Sequence, residues 1–156
     1  MPALGLAEIG GCGMMKKIPE PEDVRVSEIR RSSHCGTEQR HEALSYFPTP
    51  EDWIGWQAER GLEIVPPEKL PSGPLLLLEM GERRTGGYFI EPKTDATIDR
   101  DRVMWLAGEW IKPGKDRMVT QMLTSPCVLL SIPPRDYRGF RIIDQNEELR
   151  SSLDLD

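Results

Sequence analysis

Four consecutive leucines, Leu75–Leu78, constrain the fold more than any other stretch of this chain. Turn-forming residues bound the run, with Pro-Ser-Gly-Pro at positions 71–74 in front of it and Gly81 behind it. A short apolar run bounded in this way is typical of a β-strand that is buried on both faces. Periodicity alone does not distinguish such a strand from a buried helix, and the flanking turn residues favour the strand. The sequence therefore predicts a core strand here.

A polar, glycine-rich segment follows this strand. Gly81, Gly86 and Gly87 flank the two arginines of Glu82-Arg83-Arg84-Thr85, and an aromatic, β-favouring run resumes at residues 88–90. Glycine adopts positive φ freely, so the Gly-Gly pair can reverse the chain tightly or allow another backbone to approach closely. We interpret the unit as a hairpin made of a core strand, a charged tip and a returning strand.

Composition limits the classes of fold and partner. The 156 residues suit a single domain. Fourteen prolines and fourteen glycines divide the chain into short pieces, which argues against a helical bundle. The formal net charge of −6 and the lack of a basic stripe argue against a nucleic-acid partner. No stretch approaches the roughly 20 apolar residues of a membrane span.

Three regions are expected along the chain. Residues 1–22 have no periodicity and no secretory signal pattern, and we expect a disordered leader there. A weak likeness of Ile9-Gly10-Gly11-Cys12 to a lipoprotein cleavage site lacks the preceding apolar segment. Residues 23–144 are expected to form a single β domain, and residues 145–156 an acidic tail that frays.

The remaining strands are predicted from alternation and apolar runs. An alternating pattern at residues 24–29 suggests a half-buried strand, and another β segment spans residues 40–47. Residues 93–101 are expected to be a polar loop. Later strands are expected at residues 102–111, at residues 127–132 and, as a final edge strand, at residues 137–143.

One helix is predicted over residues 51–60. Thr49 is a good N-cap, Pro50 suits the first helical position, and Gly61 can end the helix. Trp53 and Trp56 then lie on one face. Such a pair could stack a sugar or a base, but packing of the helix against a sheet is the favoured interpretation.

The cysteines and histidines do not form a recognisable site. Cys12, Cys35 and Cys127 lie far apart without zinc-ligand spacing. Three buried free thiols are favoured over one disulfide with a thiol left over. His34, Cys35 and His41 could suggest a metal or a Cys/His nucleophile, but successive residues of a strand point to opposite faces. No catalytic residue, metal site or cofactor is therefore predicted, and no known catalytic fingerprint is present.

The order of these features resembles the C-terminal domain of the PrcB family, bacterial subunits that stabilise a secreted protease complex. The likeness rests on the acidic helix start at Pro50–Trp53, on the apolar strand Leu75–Gly81 and on Arg84-Thr85-Gly86-Gly87-Tyr88. It continues with Thr124-Ser125-Pro126 before the strand Cys127–Pro133, and covers about residues 45–134. The resemblance implies a mainly β domain that binds a protein such as a protease, and localisation in the cell envelope or periplasm. The sequence itself contains no convincing export signal, so a cytoplasmic location stays open.

The resemblance and the residues together give a hypothesis about the contact surface. Arg83 and Arg84 could donate forked hydrogen bonds to carboxylates or carbonyls of a partner, and Tyr88 could serve as a rigid anchor. The alternative is that the glycines and Tyr88 only satisfy the conformation and core of the hairpin. A tip of this kind on a β scaffold is also distantly similar to chagasin-type inhibitors of cysteine proteases.

The sequence thus predicts a small, mainly antiparallel β-sandwich or part-open barrel with one packed helix. It is expected to be a non-enzymatic interaction module, with a chagasin-like inhibitor or a small-ligand-binding β domain as alternatives. The oligomeric state and the partner's identity stay open. The predicted partner-binding residues are Arg83, Arg84, Thr85, Gly86, Gly87 and Tyr88, with structural support from Trp53, Thr124 and Pro126.

Overall fold

The computed structural model describes residues 20–156, and within them the chain forms ten β-strands, one α-helix and one short 3₁₀ turn. The helix, α1, spans Pro50–Glu59, and the 3₁₀ turn spans Pro67–Lys69. The strands are β1 Glu22–Arg25, β2 Ser27–Ser32, β3 Ala43–Phe47, β4 Leu75–Glu79, β5 Phe89–Pro92, β6 Asp95–Ile98, β7 Val103–Ile111, β8 Cys127–Ser131, β9 Gly139–Ile143 and β10 Leu149–Asp154. The predicted mainly β domain with one helix is confirmed.

The strands form two sheets that pack as a sandwich. The six-stranded sheet has the order β1-β6-β7-β9-β10, with β5 also paired to β7, and the four-stranded sheet has the order β2-β8-β4-β3. Neighbouring strands are antiparallel except β7 and β9, which are parallel. Inward-facing apolar side chains of both sheets form one continuous core, as expected for a sandwich.

The central strand β4 explains why its sequence is apolar without alternation. Leu76 and Leu78 belong to the core between the two sheets, whereas Leu75 and Leu77 belong to a second core on the outer face of the four-stranded sheet. All four side chains are buried. Each fully buried leucine contributes roughly 2 kcal/mol of hydrophobic stabilisation relative to an exposed one. The predicted strand with two buried faces is confirmed.

Helix α1 covers that second core. Thr49 caps the helix by accepting a hydrogen bond from the Asp52 N–H, while the Asp52 carboxylate accepts one from the Thr49 N–H. Trp53 is fully buried, contacts Phe47 edge to face at 5.4 Å and stacks on Trp56 at 5.0 Å. The tryptophan at position 53 therefore packs the helix onto the sheet, with no face open to a sugar or a base.

Several strands differ from those expected from the sequence. The first expected strand divides at Val26, so that β1 joins the six-stranded sheet and β2 the four-stranded sheet. The expected polar loop at residues 93–101 contains β6, whose inward-facing Ala96 and Ile98 are buried. Two apolar residues in a polar stretch were too weak a pattern to predict a strand.

The acidic end of the chain does not fray in the structure. Residues 149–154 form β10, which pairs with β9 along its length. Leu153 packs against the core between the sheets, and Arg141 of β9 forms a 2.7 Å ion pair with Asp154. Because β9 lies between β7 and β10, its assignment as an edge strand was also wrong.

A disulfide joins Cys35, in the loop after β2, to Cys127 at the start of β8. Their Cα atoms lie 6.1 Å apart, within the range that a disulfide needs. The favoured interpretation of three free thiols was therefore wrong. Cys12 and nearly all of the predicted leader, residues 1–22, lie outside the described residues. The domain boundaries expected from the sequence stay a prediction.

Candidate functional site

The glycine-rich segment, residues 81–88, is a connection between the two sheets and not the tip of a hairpin. Strand β4 before it lies between β3 and β8, whereas β5 after it pairs with β7 in the other sheet. Both edges of β4 are thus already occupied, so the returning strand could not pair with it. We call residues 81–88 the crossing.

The crossing is held by hydrogen bonds to the loop that precedes β8. Arg83 and Thr124 exchange two backbone hydrogen bonds of 2.8 Å, and the Thr124 hydroxyl donates to the Thr85 carbonyl at 2.9 Å. The Gly86 N–H donates to the Thr120 carbonyl at 2.9 Å. Just before the crossing, the Met80 N–H donates to the carbonyl of buried Pro126 at 2.9 Å. The crossing and this loop, residues 112–126, therefore form one structural unit.

Two glycines of the crossing are needed for its path. Gly81 and Gly87 have φ values of +94° and +89°, a region that favours glycine. A Cβ atom on Gly81 would lie 2.8 Å from the backbone of Arg40, and one on Gly87 would lie 2.9 Å from the Cβ of Pro113. The expected close approach of another chain segment occurs at these two positions, whereas Gly86 has neither a positive φ nor such a contact.

The two arginines of the crossing have different environments. Arg84 is exposed. The Arg83 side chain is only 22% exposed, donates to the Arg40 and Glu82 carbonyls at 3.1 Å, and lies over the Tyr88 ring at 5.7 Å. Arg83 and Tyr88 are therefore partly structural, because Tyr88 also packs against the core between the sheets. The six predicted site residues are consecutive in the sequence and all lie on the crossing, and their role in binding stays a prediction.

Exposed apolar side chains lie on the adjoining loop. Met118 is 98% exposed, Met122 49% and Leu123 59%. Leu123 also lines a concavity of about 260 Å³ together with Arg40, Glu82, Arg83, Arg84 and Tyr88. No motif in the sequence singled out these residues. The combination of arginines and exposed apolar groups is a composition that protein interfaces favour.

A second group of residues beside the crossing could not be found from the sequence. Glu42, just before β3, accepts a hydrogen bond from the Trp110 indole at 3.2 Å. The guanidinium nitrogens of Arg150 and Arg83 lie 3.3 Å and 3.9 Å from the same Glu42 oxygen. The Asp144 carboxylate lies 3.6 Å from Arg150. We call these five side chains the Glu42 cluster.

The electrostatics of the Glu42 cluster are partly set by backbone donors. The pKa of Asp144 is lowered, mainly because its carboxylate accepts a hydrogen bond from the Glu148 N–H at 3.0 Å. The Asn146 N–H, at 2.8 Å from the same oxygen, and Arg150 lower it further. Asp144 is therefore ionised at neutral pH and helps to balance the charge of Arg150.

The histidine and cysteine residues at positions 34 and 35 do not form a nucleophilic pair. Cys35 belongs to the disulfide, and the His34 ring nitrogen Nδ1 lies 3.1 Å from the Ser33 hydroxyl. Within residues 20–156, no group of three or more His, Cys, Asp or Glu side chains is arranged to hold a metal ion. In the same part of the chain, no helix is long and apolar enough to cross a membrane.

Comparison with known families locates a match in the region that contains the crossing. Residues 75–133 match the family model described as PrcB C-terminal. The match runs from the start of β4 to just after β8 and includes the crossing, residues 112–126 and the Thr124-Ser125-Pro126 step, but not the helix start at Pro50–Trp53. No curated protein and no solved structure gives a significant match to the chain.

Proposed function

We propose that this chain, whose residues 75–133 match the PrcB C-terminal family model, is a non-enzymatic protein-interaction module that stabilises a protease complex. The surface formed by the crossing and residues 118–124 contacts the partner. The predicted partner-binding residues Arg83 to Tyr88 all lie in this surface. We call it the arginine–methionine surface.

The single observation that carries the proposal is the exposure of large apolar side chains beside a rigidly held arginine segment. Met118, Met122 and Leu123 are largely exposed, and exposed Arg84 lines the same concavity as Leu123. Methionine adapts its shape to a partner, and arginine supplies several hydrogen bonds at once. Hydrogen bonds between the crossing and the loop fix the backbone in advance, which reduces the entropy lost on binding.

The family match is the reason for proposing a protease complex as the partner. The matched model is described as PrcB C-terminal, and subunits of the PrcB family stabilise a protease complex. The disulfide between Cys35 and Cys127 supports a location in an oxidising compartment such as the periplasm or cell envelope. Proteins in such compartments meet secreted proteases.

The test is capture of a protease from an extract of the native host, with the purified chain as bait. We expect wild type to recover a protease, identified by its peptides and by its proteolytic activity. The triple variant Arg84→Ala, Met122→Ser, Leu123→Ser should lose most of this recovery, at least tenfold, without a large change in melting temperature. These three side chains are exposed and carry little of the core.

The control is the variant Arg138→Ala, which removes an exposed arginine elsewhere on the molecule. It should recover the protease as wild type does. Equal recovery by the triple variant and by wild type would exclude the proposed surface. An assay with the recovered protease separates the alternatives, because a stabilising subunit lengthens its active lifetime whereas a chagasin-like inhibitor lowers its activity.

A further inference from the structure

A small cavity lies next to the crossing, at the edge where the two sheets meet. Its volume is about 90 Å³. Its lining includes the cationic side chains of Arg83, Lys112 and Arg150 and the aromatic side chains of Tyr88 and Trp110. Drug-sized ligands occupy cavities of roughly 300–1,000 Å³, whereas one water molecule takes about 30 Å³ in the liquid. The cavity therefore has room for one small functional group and not for a whole small-molecule ligand.

The charges around this cavity favour an anion. Three cationic side chains line it, and Glu42 is shared between Arg150 and Arg83 at 3.3 Å and 3.9 Å. Glu42 also accepts the hydrogen bond of the Trp110 indole, and Arg83 donates to the Arg40 and Glu82 carbonyls. Asp144 lies 3.6 Å from Arg150, so the two carboxylates leave one of the three positive charges uncompensated.

Arg150 provides the most direct indication. Its Nε atom is buried, although the side chain as a whole is 32% exposed, and within the described residues Nε has no hydrogen-bond acceptor. The nearest carboxylate oxygen, on Asp144, is 3.6 Å away, which is too far for a hydrogen bond. A buried donor without an acceptor is costly. Because solvent does not reach Nε, a ligand in the cavity would accept hydrogen bonds from the terminal guanidinium nitrogens of Arg150, whose side chain is 32% exposed.

We infer that this cavity is a carboxylate-binding pocket for the partner, which rests on the proposed function. A carboxylate accepts forked hydrogen bonds from the planar guanidinium group, and a protein partner supplies it as an Asp or Glu side chain or as its C-terminus. Arg83 and Tyr88 belong to both the cavity and the crossing. A residue inserted here would therefore continue the contact made by the arginine–methionine surface, with Arg150 as the deeper anchor.

The first test uses acetate as the probe and the full chain labelled with ¹⁵N. Titration with acetate should move the Nε–Hε signals of Arg150 and Arg83 in a saturable way at millimolar concentration. Acetamide, which has the same size without the charge, should not move them. Equal shifts with acetamide, or no saturable shift with acetate, would overturn the inference. Stronger binding of inorganic phosphate than of acetate would overturn the assignment to a carboxylate.

Variants tie the binding to the pocket. Arg150→Gln should weaken acetate binding at least tenfold, and Arg138→Gln, which changes an exposed arginine outside this cavity and outside the arginine–methionine surface, should leave it unchanged. If Arg150→Gln unfolds, Lys112→Gln provides the second test, because Lys112 is exposed and its loss should weaken binding several-fold. Unchanged binding by a folded Arg150→Gln or by Lys112→Gln would overturn the inference.

Two peptide pairs distinguish the source of the carboxylate. Binding of acetyl-Gly-Gly-Gly with a free C-terminus is compared with binding of the same peptide with an amidated C-terminus, which tests a terminal carboxylate. Binding of amidated acetyl-Gly-Glu-Gly is compared with binding of amidated acetyl-Gly-Gln-Gly, which tests a side-chain carboxylate. Failure of both charged peptides would overturn the inference. Protease capture that is lost in the triple surface variant but intact in Arg150→Gln would also overturn it while leaving the proposed function standing. Acetate binding without protease capture would support the pocket and contradict the proposed function.

Discussion

Gly86 and Gly87 are neighbours in the crossing, but the backbone requires glycine at only one of them. Gly87 has a φ of +89°, and its added Cβ would meet Pro113 at 2.9 Å and Val119 at 3.0 Å. Gly87→Ala should therefore lower the free energy of unfolding by about 1–3 kcal/mol, the usual cost of a non-glycine residue held in such a conformation. Urea unfolding of the purified variant measures this change.

The adjacent glycine provides the control for this prediction. Gly86 has no positive φ, and a Cβ there would meet Thr120 at 3.6 Å, an ordinary contact distance. Gly86→Ala should change the stability by less than about 1 kcal/mol, and a small gain is expected because alanine restricts the unfolded chain. Equal destabilisation by both changes would contradict the assignment of a glycine requirement to position 87 alone.

At the scale of elements, the turn between β9 and β10 depends on one carboxylate. The backbone N–H groups of Asn146 and Glu148 both donate to Asp144, and these bonds and Arg150 hold the pKa of Asp144 below its ordinary value of 3.8. A carboxyl group with a lowered folded-state pKa stabilises the protein fully above its unfolded-state pKa. That stabilisation is lost as the pH falls from about 4 through the lower, folded-state pKa.

The prediction for this turn is that Asp144→Asn is less stable than wild type at pH 7, and that the difference shrinks below about pH 4. Urea unfolding at a series of pH values from 7 to 2.5 measures both curves. Asp156→Asn removes an exposed carboxylate and serves as the control. Its free energy of unfolding should change with pH as that of wild type does. A difference between Asp144→Asn and wild type that stays constant with pH would contradict the assigned role.

The elements also show what the sequence could predict. Strand β4 was predictable because burial on both faces leaves a continuous apolar run, and α1 because its cap and first turn are local signals. The hairpin was wrong because strand pairing is not local: β3 and β8, which flank β4, come from distant parts of the chain. Strand β10 was missed because its mostly polar residues, Arg150 among them, form few apolar contacts.

Part of the candidate site could be predicted from local sequence signals, and part of it depends on contacts between distant segments. The arginines and glycines of the crossing form a continuous motif, so the sequence could single them out. The Glu42 cluster consists of residues before β3, at the end of β7, after β9 and on β10, and only the fold brings them to the crossing. No spacing in the sequence connects these residues, so the carboxylate pocket could not have been predicted from it.

For the whole molecule, the region that matches the family is not a separable unit. Residues 75–133 contain β4 and β8 of one sheet and β5, β6 and β7 of the other. Outside this region, β3 flanks β4 and β9 flanks β7, so both sheets need strands from the rest of the chain. The disulfide also spans the boundary, because Cys35 precedes the matched region and Cys127 lies inside it.

This cross-link should make a large contribution to the stability of the domain. It closes a loop with a sequence separation of 92 residues, and chain-entropy arguments assign a loop of that length about 4–5 kcal/mol, with engineered cases often lower. Cys35→Ser, or treatment with a reducing agent, should lower the melting temperature by about 8–20 °C. Cys12→Ser should not change it.

Counting free thiols tests the disulfide without a measurement of stability. The chain contains three cysteines, so one disulfide leaves one thiol. Titration of the unfolded, oxidised protein with a thiol reagent should therefore give one thiol per chain, and three after reduction. A melting temperature that does not respond to Cys35→Ser would show that the fold is stable without the cross-link. A count of three before reduction would show that the cross-link does not form, and the support that the disulfide gives to an oxidising compartment would then be lost.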